Sequence, residues 1–445
     1  MSGGLIQLAA YGQQDIYISG NPQITFFKII YRRHTNFSIE SIEQTFTTEA
    51  DFNKIVSATI ARGNGDLIHK MYLQFTLPAL DQQQEGAEWV GYVNSIGHNI
   101  IKRVDLEIGG QLIERHYSEW LEMWAELSLN EAERRNFNFL IGKYNSDVSL
   151  KTNALQERTY QVPLQFWFCR NPGLALPIIA LTQHEVKIKM EFRTVGEVIK
   201  SDVLISNPVD VYGNTPRIKN ASLYIDYVFL DDAERKIFAQ APHEYLIELV
   251  QYLGEKPITS GISNDKIRFS FENPVKELAW VIQTNTNLEK NSITGNNYLK
   301  FSSNSGKDTF KSLRIQFNGG DRFSPRNSDY FRLVQPLEHH SGSPRKHVYC
   351  YSFAIKPEEH QPSGTLNMSR IDTAVLSLSS KMAGTIYIFA VNYNVLRVMA
   401  GMGGLNKMGQ KVNFEKKFAS KKYLLIKEET NKIPFSSLFV IFFNK

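Results

Sequence analysis

The chain has 445 residues, 42% of them hydrophobic and 21% charged, the proportions of a globular protein that buries real cores and not those of a disordered or fibrous one. Aromatic residues reach 12%, with 28 Phe and 20 Tyr, a bias toward pleated structure. The formal charge of +5 is concentrated at one end: nine lysines against three glutamates in residues 405–445 leave the other 404 residues at −1, and so neutral a body excludes the phosphate-neutralising surface of a nucleic-acid coat protein.

Residues 1–35 contain Gly3, Gly4, Gly12, Gly20 and the pair Asn21-Pro22, and read as an extended arm. An arm of that length cannot bury its own Phe26, Phe27, Ile29 and Ile30, so these must pack against the body or a neighbouring subunit. From 36 to 230 strand signals dominate. In Val186-Lys187-Ile188-Lys189-Met190-Glu191-Phe192-Arg193 apolar and charged residues alternate without exception, which defines a strand with one wet face. Similar patterns occupy 37–46, 71–77, 104–113, 163–168 and 223–229. Between 118 and 139 the spacing changes: Trp120, Leu121, Trp124, Leu127 and Leu129 recur at helical intervals, and Glu131, Glu133, Arg134 and Arg135 supply a polar face, so a helix is inserted in a long loop.

At 231–243 a capping Asp231, acids in the first turn and bases behind them mark a linker helix. From 244 to 404 strands return at 267–271, 278–283, 313–317, 348–355, 375–378 and 385–398. Gly401-Met402-Gly403-Gly404 lacks the Lys-Ser/Thr of a phosphate loop and reads as a flexible exit from the last strand. Residues 405–445 form a basic tail that ends in the apolar run Leu438–Phe443, which needs some burial. Many short antiparallel strands separated by turn residues predict an all-β chain of two sandwiches or jelly rolls in tandem, with short inserted helices.

An internal repeat supports the tandem. Lys102-x-Val104-x-Leu106-x-Ile108-Gly109-Gly110, followed by Ile113, Ser118, Glu119 and Trp120, matches Lys311-x-Leu313-x-Ile315-x-Phe317-Asn318-Gly319-Gly320, followed by Phe323, Ser328, Asp329 and Tyr330. With Asn318 taken as the one inserted residue, each copy is a β-hairpin turning on a Gly-Gly pair, since both turn positions need φ > 0. A duplicated β domain accounts for both.

Chemistry-bearing motifs are sparse. His339, His340, His347 and His360 form the one histidine cluster, in a Ser-Gly-Ser-Pro loop that offers no metal-ligand spacing. Asp231, Asp232 and Glu234 are explained by helix capping. No catalytic, cofactor-binding or metal-binding residues are assigned, and no cofactor is expected. Cys169 and Cys350, one in each half, are read as reduced core residues. The sequons at Asn36, Asn220 and Asn367 occur at the frequency chance provides. The opening residues lack a secretory pattern and no apolar run approaches the roughly eighteen residues of a membrane span, so the chain is expected on the cytosolic side.

Gly3-Gly4-Leu5-Ile6-Gln7-Leu8-Ala9-Ala10-Tyr11-Gly12 with Asp15, then Gly20–Lys28 and Tyr31–Phe37, resembles the opening of the major capsid proteins of nucleocytoplasmic large DNA viruses. The resemblance continues through Phe353–Asp372, Asn392–Arg397 and Gly401–Leu405. It implies two consecutive eight-stranded jelly rolls joined by a short helix, in a late protein made in the host cytoplasm. It further implies a homotrimeric, pseudo-hexagonal capsomer of an icosahedral shell. Its implied partners are its own copies, minor capsid and penton proteins, and an inner viral membrane reached through the arm or tail, with no direct nucleic-acid binding. Loops such as 285–309 would decorate the outer face. The 40 residues after Leu405 depart from the family pattern. On the same fold, a glycan-binding surface or fibre protein is the alternative, and a metal-dependent jelly-roll enzyme a third reading.

Overall fold

The computed structural model describes residues 2–144, 147–262, 264–289, 296–303 and 305–405; the basic tail after Leu405 lies outside the described residues. In the first half the eight strands of the two main sheets run β1 (Phe37–Thr45), β2 (Ile55–Thr59), β3 (Leu67–Leu77), β4 (Ile101–Ile108), β5 (Gln111–Tyr117), β6 (Arg158–Pro163), β7 (Val186–Phe192) and β8 (Lys219–Leu230), and Val90–Tyr92 pairs separately with Ile199–Ser201. The eight form two antiparallel sheets ordered β1-β8-β3-β6 and β2-β7-β4-β5. The second half repeats the order. Its strands are β9 (His243–Ile258), β10 (Asp265–Phe269), β11 (Pro274–Thr284), β12 (Phe310–Phe317), the short pieces β13 (Gly320–Asp321) and β14 (Arg326–Asn327), β15 (Tyr349–Ser352), β16 (Ala374–Ser380) and β17 (Gly384–Met399). Here β9-β17-β11-β15 faces β10-β16-β12, with β13 and β14 both on the free edge of β12. Each half is therefore a jelly roll whose two sheets close over one apolar core.

Strand burial follows chemistry. Along β7, Val186, Ile188, Met190 and Phe192 are buried while the lysines and glutamate between them reach water. In β11 the alternation disappears and nearly every residue is buried, because the strand is covered on both faces: Leu278, Trp280 and Ile282 point into the second core, and Ala279 and Val281 meet a helix of the first roll.

Three readings of the sequence are corrected. In the repeat, Gly109 and Gly110 form the first turn (φ 58° and 79°), but the second turns on Asn318 and Gly319 (φ 49° and 83°), while Gly320 already pairs with Phe317. Asn318 is thus not an insertion; asparagine tolerates left-handed backbone and takes the role of Gly109. The extra residue lies in the return arm, where the register slips by one residue in β5 but by two between β13 and β14. Second, residues 163–168 are not a strand: β6 stops at Pro163, and Trp167–Arg170 is a helical turn. The buried run Phe166-Trp167-Phe168 has no periodicity with which to tell the two apart. Third, the 401–404 segment is no flexible exit. Met402–Leu405 folds back on β17 through Ala400 and Gly401, both at positive φ. Gly401 O then accepts hydrogen bonds from the backbone N–H of Gln183 and His184 in the first roll. A Cβ on Gly401, whose φ is 80°, would strike Thr182 and crowd the Gln183 backbone, so glycine suits this close approach.

Candidate assembly surfaces

The seam between the two rolls is built on α1 (Ser118–Ser128), the helix that follows the first repeated hairpin. It turns Leu121 and Ala125 into the first core. Trp120, Met123, Trp124 and Leu127 face the other way, onto Ala279, Val281, Val348, Cys350, Phe389 and Val391 on the outer face of the sheet β9-β17-β11-β15. Trp120 lies 5.6 Å from both Trp124 and Phe389, and Tyr117 lies 4.7 Å from Tyr252. Part of the loop 285–309 contributes here as well: Leu299 and Phe301 are buried in the same seam, driven there by their apolar side chains.

The helix also carries two wholly buried carboxylates, Glu122 and Glu126. Lys346 of the second roll reaches Glu122 at 2.6 Å, Lys143 reaches it at 2.8 Å and also pairs with Glu126, and the Arg345 N–H donates to Glu126 at 2.7 Å. His98 Nδ1 donates to Glu122 at 2.6 Å. Burial by itself pushes the Glu122 carboxyl up, but Lys143, Lys346 and His98 outweigh it and hold the group well below the carboxylate range; Glu126 is lowered for similar reasons. Burial pushes His98 down, so it stays neutral and a donor. On the far side of the seam, Arg170 of the first roll meets Glu248 of the second at 3.2 Å, and Lys276 meets the same carboxylate at 2.5 Å.

The four histidines of the sequence cluster go to separate partners. His339 contacts the Ile355 carbonyl, His347 lies 3.8 Å from Asp308, and His360 lies 3.5 Å from Glu248. Among the described residues no group of three or more His, Cys, Asp or Glu side chains could hold a metal ion. His340 is enclosed, with Nε2 3.0 Å from Glu277 and Nδ1 2.9 Å from Glu358, beside the buried Cys350 thiol. Burial opposes its charge, yet Glu277 and the surrounding hydrogen bonds raise it well above the ordinary imidazole value. A folded pKa above the unfolded one gives stability that is complete below about pH 6.5 and disappears as pH climbs through the raised value, at about 1.4 kcal/mol per unit of displacement. Denaturant midpoints from pH 6 to 9 should therefore fall for the wild type, and the fall should flatten in His340→Asn. Equal slopes would show that His340 is not charged.

The arm was expected to seek cover. It begins with a short helix, Gly3–Ala9, and two further helical turns, so it is not wholly extended. None of residues 2–36 is buried on the body: Phe26 is 90% and Phe27 98% exposed, with Lys28, Arg32 and Arg33 close by. Of the two fates open to its apolar side chains, packing on the chain's own rolls is not the one observed.

Two stacked jelly rolls, with aromatic and charged side chains holding one roll on the other, are the double-jelly-roll architecture found in viral shell proteins. Residues 25–231 match the family profile described as "Major capsid protein N-terminus", and residues 234–404 match "Large eukaryotic DNA virus major capsid protein". The chain belongs to this family of major capsid proteins of large eukaryotic DNA viruses, and its place is the capsid shell of the virion. It is 45% identical to the major capsid protein of Pyramimonas orientalis virus and 38% identical to that of Paramecium bursaria Chlorella virus 1, each match covering 91% of this chain and 99% of the relative. Among solved structures, a quasi-atomic model of the PBCV-1 virus capsid superposes with a TM-score of 0.74 at 34% identity, covering 86% of this chain and all of that one. The Faustovirus major capsid protein superposes with a TM-score of 0.69 at 14% identity, over 89% of this chain and 96% of that one, a likeness of fold.

Proposed function

We propose that the chain acts without catalysis, as a homotrimeric capsomer of pseudo-hexagonal outline that tiles the shell. The duplicated roll supports this reading: three chains with two equivalent rolls each present six similar wedges to their neighbours. Under this proposal the chain divides into the arm (1–35), a first roll (36–230), a linker helix (231–243), a second roll (244–404) and the tail (405–445). The arm, apolar and basic together, serves as a contact to minor capsid proteins or to the inner membrane. Light scattering of the full-length chain at several concentrations tests the reading. A stable species near three times 51.0 kDa is expected, and a strict monomer at every concentration would contradict the trimer.

A further inference from the structure

A cavity of about 420 Å³ opens between the two rolls, beside the buried Glu122–Lys346 pair. Loops of both rolls line it: β3–β4 and β7–β8 of the first, and β11–β12 and the β14–β15 connection of the second. Four cationic side chains, Lys200, Lys300, Arg345 and Lys346, stand in its wall together with the imidazole of His347, and among the described residues no carboxylate does. Its size falls in the range of small-molecule sites, roughly 300–1,000 Å³.

The ion pairs of the seam do not balance this charge. Lys143, Lys346 and Arg134 place three positive charges around the two carboxylates Glu122 and Glu126, which leaves one positive charge over. Glu122 has no capacity to spare, since it already accepts from Lys143, Lys346, Ser95 and His98. Burial pushes the Lys346 ammonium below the ordinary lysine value, and the neighbouring Lys143 adds to the displacement against the pull of Glu122. Arg345 spends its guanidinium on Glu131, 2.5 Å away at the surface. Lys200 Nζ donates to the neutral amide of Asn297 at 3.3 Å, and Lys300 pairs with no carboxylate among the described residues. A cleft walled by charge of one sign focuses its field and concentrates counter-ions of the other. Lysine and arginine donors suit phosphate oxygens, and cations brought together from three loops call for a guest with more than one anionic group.

We propose that this cavity binds a small molecule carrying two or more phosphate groups, and that the bound polyphosphate ties the loops of one roll to those of the other. The site lies within one chain, so the inference stands apart from the trimer reading.

Titration calorimetry of the full-length chain with inorganic tripolyphosphate, at fixed ionic strength, tests it. The wild type should bind one equivalent and melt at a higher temperature when loaded, because the guest binds only the folded chain. The Lys200→Gln/Lys300→Gln variant, shown by circular dichroism to be folded, should bind about tenfold more weakly or worse and lose the melting shift, as expected for losing two charge-assisted contacts. The rival site is the basic tail, which both proteins keep: equal affinity in the variant places the anion there and overturns the proposal. Orthophosphate bound as tightly as tripolyphosphate overturns the requirement for a second phosphate. A second measurement needs no variant. When the wild type is acetylated with an N-hydroxysuccinimide ester, tripolyphosphate should slow modification of Lys200 and Lys300 and leave the exposed Lys356 unchanged. Protection confined to lysines of the tail overturns the site.

Discussion

Replacing Glu122 with Gln should lower the stability of the seam by about 3–5 kcal/mol, the range for breaking one partner out of a buried ion pair. Gln keeps the shape and can still accept from His98, so the loss isolates the charge. It strands Lys346 and much of Lys143, whose ammonium groups sit against a carboxylate that no water reaches. The pH dependence follows from the same displacement. The folded pKa of Glu122 is depressed, so its contribution is complete above the unfolded carboxylate value of about 4.3 and is lost as pH falls through the folded one. Denaturant unfolding at pH 7 should show the loss, and a series toward pH 3 should show a shallower acid limb in the variant. A change below about 1 kcal/mol would mean that Glu126 alone can hold both lysines.

Trp120→Ala should cost a further amount of similar size, about 3–5 kcal/mol, because a large buried ring is removed where the seam cannot collapse around the space. Trp120 is wholly buried between Trp124 and Phe389, and these belong to different rolls. The vacancy therefore weakens the coupling of the rolls as well as either core. Scanning calorimetry of the wild type should show the rolls melting together, and the variant should resolve two transitions. A single transition displaced by less than a degree would place the coupling in the ion pairs alone.

Much of the architecture was legible because strand alternation and turn chemistry are local. The wet-faced strand at Val186–Phe192, the hairpin at Gly109-Gly110 and the Asp231-capped helix Asp232–Gln240 each announce themselves within ten residues. The seam was not legible, because its partners are distant in sequence. Glu122 and Lys346 lie in different rolls, and a glutamate on a helix looks the same whether it faces water or a buried lysine. Arg134, read as part of a polar face, is buried and donates to the carbonyls of Glu126, Leu129 and Ser343. One signal was available: Trp120 and Trp124 continue the apolar pattern around the helix beyond the stripe that a single core needs, which marks a helix covered on two sides.

The position of β17 has a consequence for synthesis. This strand lies between β9 and β11, and the Met402–Leu405 turn behind it reaches back to residues 183–184. A ribosome that has finished the first roll has released Trp120, Met123 and Trp124 with nothing to lie against, and that situation lasts until the chain has grown past residue 400. With roughly 170 residues still to be added, at about 5–20 residues per second each nascent chain carries a sticky aromatic helix for about 9–34 s. In a cell filled with many copies of one messenger, neighbouring nascent chains offer one another the wrong sheet during that interval, so yield should depend on chaperone supply and on slow elongation through the second half.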